Sequence, residues 1–194
     1  MRAAEYLEPL SEDTFALRPE FLAYMFTDAI TLSVQTVVFA RNVVTPPLPW
    51  FDESFTGGED LDLFYRLAAT TKFVFVDQIH TFMRVHRTSL TVVQSDRCTE
   101  DAALARRINL ARAERLIPPD RLPIAREAVS NAFYDIAQEW WERGHRHVAR
   151  DAWRSSWQLH RSWRNAKGYL KTFVPRKVLL PFKGALSILI GSIR

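Results

Sequence analysis

Hydrophobic and polar positions follow two rhythms along this chain, and the change between them falls near residues 92–98. Before that point, short apolar runs alternate with turn-rich stretches. Residues 34–40 (VQTVVFA) form a β-branched run closed by Arg41, Asn42 and a cluster of prolines, which predicts a buried strand. The loop that follows is rich in Pro, Gly and polar residues and ends on the tight turn Gly57-Gly58. Within residues 60–69, Leu61, Phe64, Tyr65 and Ala68 recur at spacings of three and four, one apolar helix face. Residues 72–77 (KFVFVD) predict a second strand. Residues 78–86 (QIHTFMRVH) predict a third, with His80, Phe82, Arg84 and His86 on one face. Residues 1–30 read as mixed polar and aromatic material holding one short helix at 19–27.

Beyond residue 98 the period becomes helical throughout. A helix over 100–116 places Leu104, Ile108 and Ala111 on one side and stops at Pro118-Pro119. The clearest helix spans 124–143, striped by Ala125, Ala128, Val129, Ala132, Ile136 and Trp140, with Gly144 as its C-cap. Residues 147–160 predict a further helix. The expected architecture is an α/β part over residues 1–95 followed by an α-helical region over 96–194.

Composition changes this picture little, and charge changes it more. The chain has 194 residues, 47% hydrophobic and 25% charged, the range of a globular protein large enough to bury a core. Its net charge of +4 is unevenly placed: from Arg143 onward the only acid is Asp151. That end, rather than the whole chain, calls for an anionic partner. The segment from Val174 (VPRKVLLPFKGALSILIGSIR) mixes basic and apolar residues. It suits either an amphipathic segment on an anionic membrane surface or a helix packed on the protein body. No stretch reaches the roughly 18–20 apolar residues of a membrane span. The scattered arginines form no nucleic-acid motif, so no nucleic-acid partner is expected. The single cysteine, Cys98, leaves no internal disulfide and fits a reducing compartment. The first ten residues hold no apolar run of a secretory leader. The expected location is cytoplasmic, peripheral on the inner face of the membrane where the tail binds it.

Two constellations carry candidate chemistry. The first is Glu59-Asp60 at a helix start. There, free backbone N–H groups and the positive end of the helix dipole keep a carboxylate ionised. An ionised, rigidly placed Asp can take the proton of an attacking hydroxyl. Glycines just before it would let a substrate approach the backbone. Acids in a first turn commonly serve as caps, and taken alone the pair reads as capping rather than catalysis. The second is Arg84-Val85-His86, in which Arg offers a fork for a diphosphate and a neutral His can ligate a metal. A hydrogen-bonded strand-end histidine is the alternative.

In order and spacing, these segments resemble the second half of the family 2 glycosyltransferases with the GT-A fold. The matching pieces are residues 37–40 (VVFA) with Arg41, Phe51-Asp52-Glu53, Glu59-Asp60, Arg66-Leu67-Ala68, Arg84-Val85-His86 and Ser89-Leu90-Thr91. Together they cover roughly residues 30–95. The resemblance implies a fold: the C-terminal part of a GT-A domain, with a helical extension. It implies an activity: transfer of a sugar from a nucleotide-sugar donor to a glycan or lipid-linked hydroxyl acceptor, with inversion. Asp60 would be the general base and Glu59 its neighbour in the acceptor site. Trp50, Asp52, Gly58 and Arg84 would contact substrate, with Trp50 and Phe51 stacking on a sugar ring unless Phe51 lies in the core. His86 would sit by the donor diphosphate or its divalent metal, Mg or Mn.

The chain departs from that family in two ways. The nucleotide-binding half finds no room before residue 30, so the chain reads as a truncated or split enzyme, inactive by itself. The turn before Phe51 carries Pro49-Trp50 where the family has a glycine pair. The Gln-x-x-Arg-Trp motif of processive synthases does not occur. The alternative reading is a non-catalytic interaction or membrane-surface module that keeps a relic of the enzyme fold.

Overall fold

A computed structural model of the chain describes residues 6–27, 30, 32–43, 50–82, 84 and 86–174. It combines helices with one small sheet of three antiparallel strands, β1 (Leu7–Pro9), β2 (Thr14–Leu17) and β3 (Val74–Val76), in the order β1-β2-β3. The register sets Leu7 opposite Leu17 and Phe15 opposite Phe75. The β1–β2 turn is fixed by Asp13, whose carboxylate accepts from the hydroxyls of Ser11 and Thr14 and from Gln78. This hairpin was not expected from residues 1–30. Its strands are too short to show a period, and only the polar turn marks it.

Helices follow in the order α1 (Phe21–Met25), α2 (Glu59–Ala68), α3 (Leu90–Val93), α4 (Ser95–Ala113), α5 (Leu122–Glu142), α6 (Arg146–Leu159) and α7 (Trp163–Lys171). Two compact units divide between Ala132 and Phe133, inside α5. This division by contacts is separate from the change to all-helical structure that begins with α4 at Ser95. The reason is α4, which packs along α2 and belongs to the first unit.

The core of the first unit forms where α1 and α4 meet α2. Every residue of α1 is buried, and α2 buries Leu63, Phe64, Tyr65 and Leu67 together with Asp62. Phe26 stacks on Tyr65 at 4.4 Å, and the Tyr65 hydroxyl donates to the Met25 carbonyl at 3.1 Å. Leu63 and Leu67 pack against Phe39, Val43 and Phe73. The expected α2 face of Leu61, Phe64, Tyr65 and Ala68 is shifted: Leu61 and Ala68 are only half-buried. Neighbours on more than one side widen the buried surface beyond a single stripe. α4 likewise buries Ala103, Ala105, Asn109, Leu110 and Ala113 while Leu104 is exposed, so apart from Leu110 its buried residues are small or polar.

Two expected strands are not formed. Residues 34–36 make a 3₁₀ turn and 37–40 run on without a ladder; Val38 is 99% exposed. Ser33 and Thr36 bond each other's backbone and hydroxyl groups, a local arrangement that competes with strand pairing. Among the described residues of 78–86 there is again no strand, and Phe82 is 92% exposed. Alternation predicts a strand only where a neighbouring strand receives it, and among the described residues β3 pairs with β2 alone.

In the second unit, α6 and α7 pack on each other around the fully buried Trp153. Gly144 at φ 90° ends α5 as expected. His145 N–H bonds the Trp140 carbonyl and Gly144 N–H the Trp141 carbonyl, the paired bonds of a Schellman cap. The unexpected α7 starts at Ser162, whose hydroxyl accepts from Asn165 N–H at 3.2 Å. Arg146 and Arg150 hold the carbonyl of Thr172, just past the end of α7. The tail from residue 175 lies outside the described residues.

Candidate functional site

The loop before α2 is built onto α4. Asp101 Oδ2 accepts from Thr56 N–H at 2.7 Å and from Gly57 N–H at 3.3 Å, anchoring the turn to a helix 44 positions away. Gly58 adopts φ 89° and caps α2, so that Glu59, Asp60 and Asp62 fall in its first turn. The expected opening for a substrate at this glycine pair is filled by protein. A Cβ on Gly57 would lie 2.6 Å from Cys98 Sγ, and one on Gly58 would lie 3.0 Å from Ala102 Cα. Only glycine lets α4 come this close.

Glu59 belongs to the same contact. Its Oε2 is buried and takes no hydrogen bond. Burial, then the charges of Glu59 and Asp101, push the Cys98 thiol above its ordinary pKa. Asp60 is half-buried, and its Oδ1 accepts from Leu61 N–H at 2.7 Å.

The dominant carboxylate is one that the sequence did not single out. Asp62 is 2% exposed. Its Oδ2 accepts from Arg66 Nε at 2.8 Å; its Oδ1 accepts from Asn109 Nδ2 at 2.7 Å and from Arg112 at 3.2 Å. Arg66 also donates to the Trp50 carbonyl at 2.9 Å. One buried anion thus joins α2, α4 and the Trp50 loop. The Asp62–Arg66 half was readable as an i,i+4 pair. Asn109 and Arg112 were not, because nothing local links them to residue 62.

Beside this network lies a cavity of about 670 Å³, lined by Asp52, Asp62, Arg66, Thr70, Asn109 and Arg112 among others. Asp52 accepts from the Ser54 hydroxyl at 2.7 Å and from its N–H at 3.0 Å. These bonds, with Arg112 and Arg66 adding charge, hold its carboxyl below the usual range. Two carboxylates and two guanidiniums balance, leaving a wall of donors and acceptors suited to a hydroxylated ligand. Neither Glu59 nor Asp60 lines it.

The remaining expected residues are spread out. Trp50 and Phe51 are both exposed, and Trp50 leans on Phe39 at 5.2 Å, so Phe51 is not a core residue. Arg84 and His86 are exposed on irregular backbone rather than aligned on a strand, and His86 Nδ1 pairs with the Thr88 hydroxyl at 3.0 Å. Among the described residues no group of three His, Cys, Asp or Glu side chains could hold a metal ion. Nor is any helix among them long and apolar enough to cross a membrane.

Comparisons of the chain with known protein families, curated proteins and solved structures gave no match.

Proposed function

We propose that the chain contributes the acceptor side of an inverting sugar transferase of the GT-A type, with the donor nucleotide held by a polypeptide segment outside residues 1–95. The observation that carries this reading is the start of α2. A left-handed Gly58 sets Glu59 and Asp60 in the first turn of α2, the position the family's general base takes in the resemblance. The ordered motifs around it support the reading. Asp60 removes the proton from the acceptor hydroxyl as it attacks the anomeric carbon, and the nucleotide diphosphate leaves from the opposite face. Trp50 offers an exposed ring for stacking on the acceptor sugar.

The test is transfer from radiolabelled nucleotide sugars in extracts of cells carrying the natural gene or its Asp60→Asn allele. Loss of a general base lowers transfer on the order of 10²–10⁴-fold. Equal transfer by the two alleles removes Asp60 from the mechanism.

A second reading has its own observation. The second unit is a closed helical hairpin with basic side chains over aromatic rings, as in Arg150 over Phe173 at 4.4 Å and Lys171 over Trp153 at 4.2 Å. That favours a non-catalytic surface-binding module, and extracts showing no gene-dependent transfer with any nucleotide sugar would select it.

A further inference from the structure

The apolar surface of α7 points the wrong way for a helix stabilised by its own core. Its inward face is small and polar, burying Asn165 and Gly168. Its outward face carries Trp163, Lys167 and Leu170 at positions i, i+4 and i+7. Trp163 is 76% exposed, and Leu170 and Phe173 are each more than half exposed. On α6 the same spacing aligns Arg150, Arg154 and Trp157, and Arg150 reaches Phe173 at the end of α7. Among the described residues Arg154, Arg161 and Lys167 form no ion pair. The sequence after Val174 adds Arg176, Lys177, Lys183 and Arg194 and no acid.

Removing these large apolar side chains from water is favourable wherever a partner can cover them. The chemistry around them selects what covers them. Indole rings settle at the headgroup level of a bilayer, aliphatic and phenyl groups enter the acyl boundary, and Lys and Arg extend to lipid phosphates. A nucleic acid would use the basic residues and stack on the Trp rings, but it offers nothing to Leu170. We infer that the α6–α7 hairpin binds the surface of an anionic phospholipid bilayer through Trp163, Lys167 and Leu170 of α7, flanked by Arg154 and Trp157 of α6. The contact therefore lies in the folded hairpin and not only in the tail. It does not rest on the role given to Asp60.

Co-sedimentation of the full chain with vesicles tests this. The vesicles are phosphatidylcholine alone or phosphatidylcholine mixed with phosphatidylglycerol; indole fluorescence is read in parallel. The chain sediments with the anionic vesicles, with a blue-shifted emission, and releases as salt is raised. Trp163→Ala weakens binding about ten-fold. Lys167→Glu weakens it by more than the roughly five-fold expected for one lost cation. Both sites are exposed, and unchanged circular dichroism confirms that the variants fold. Wild-type binding by the Trp163→Ala/Lys167→Glu double variant, with loss only in Arg176→Gln/Lys177→Gln, would overturn the inference in favour of the tail. So would failure of the wild type to bind anionic vesicles while it binds single-stranded RNA.

Discussion

Asp60 and Asp62 stand two positions apart on α2, and the helical turn sends them to different surroundings. Asp62 is buried among Arg66, Asn109 and Arg112, so replacing it leaves two cations and an amide without their shared acceptor. Asp62→Ala is expected to cost about 3–5 kcal/mol, read from the denaturant midpoint. Asp60→Asn is expected to change stability by less than ~0.5 kcal/mol, since its carboxylate accepts from the adjacent Leu61 amide. A large loss of stability in both would place Asp60 in the scaffold rather than in chemistry. Glu59 is tested through its neighbour. Because its charge helps raise the Cys98 thiol, Glu59→Gln should speed alkylation of Cys98 at neutral pH, while burial keeps the rate below that of a free thiol. No change would mean that Glu59 does not face α4. Asp52 gives the pH signature. Its folded pKa lies below the unfolded value, chiefly through the Ser54 hydroxyl. Its stabilising contribution is therefore present above the ordinary carboxylate range and lost as pH falls through the folded value. Ser54→Ala should move the Asp52 carboxyl titration upward in an NMR pH series.

At the scale of elements, contacts between helices depend on glycines that local pattern cannot explain. Gly57 looks like turn chemistry in sequence, yet the structure spends it on the approach of α4, with Cys98 Cα 2.8 Å from where a Cβ would stand. Gly168 lies in a helix interior, where glycine is disfavoured, because the Trp153 indole occupies the place of its side chain. Both neighbours are rigid, so Gly57→Ala and Gly168→Ala should each destabilise by about 1–3 kcal/mol, seen as a lower melting temperature in circular dichroism. These two positions also show what was legible. Elements with a strong period or a cap signal could be read directly: α2, the long α5, its Gly144 cap and the strand at 74–76. The faces of α2 and α4 could not be read that way, because burial there follows tertiary neighbours and the buried Asp62, not hydrophobicity. The strand readings at 34–40 and 78–86 failed for the complementary reason: β-branched composition and alternation require a partner strand, and none pairs with these segments among the described residues. Of the candidate site, the helix-start acids were visible, and the Asp62–Asn109–Arg112 network was not, since its members are 47 and 50 positions apart.

For the molecule as a whole, charge and exposed apolar surface are distributed very differently between the two units. The second unit carries its apolar exposure among basic side chains, a mixture suited to a lipid surface. The first carries it on β3 and the segment after it, where Val74, Phe75, Val76, Ile79 and Phe82 are exposed. β3 pairs with β2 on one side only, so its other edge presents backbone donors and acceptors with no ladder partner among the described residues. Natural sheets protect such edges with charge or cover; here Lys72 and Asp77 flank the strand but none interrupts it. The free edge should therefore pair with another polypeptide, and in the purified chain the one available is a second copy. Light scattering after size exclusion should show association that grows with concentration and persists in high salt, because backbone pairing and apolar contact are not screened. Val74→Lys places a cation on the edge without altering the α1–α2 core and should raise the monomer fraction. Association unaffected by Val74→Lys but abolished by salt would assign it to the basic second unit instead, and β3 would then be an edge left open in the monomer.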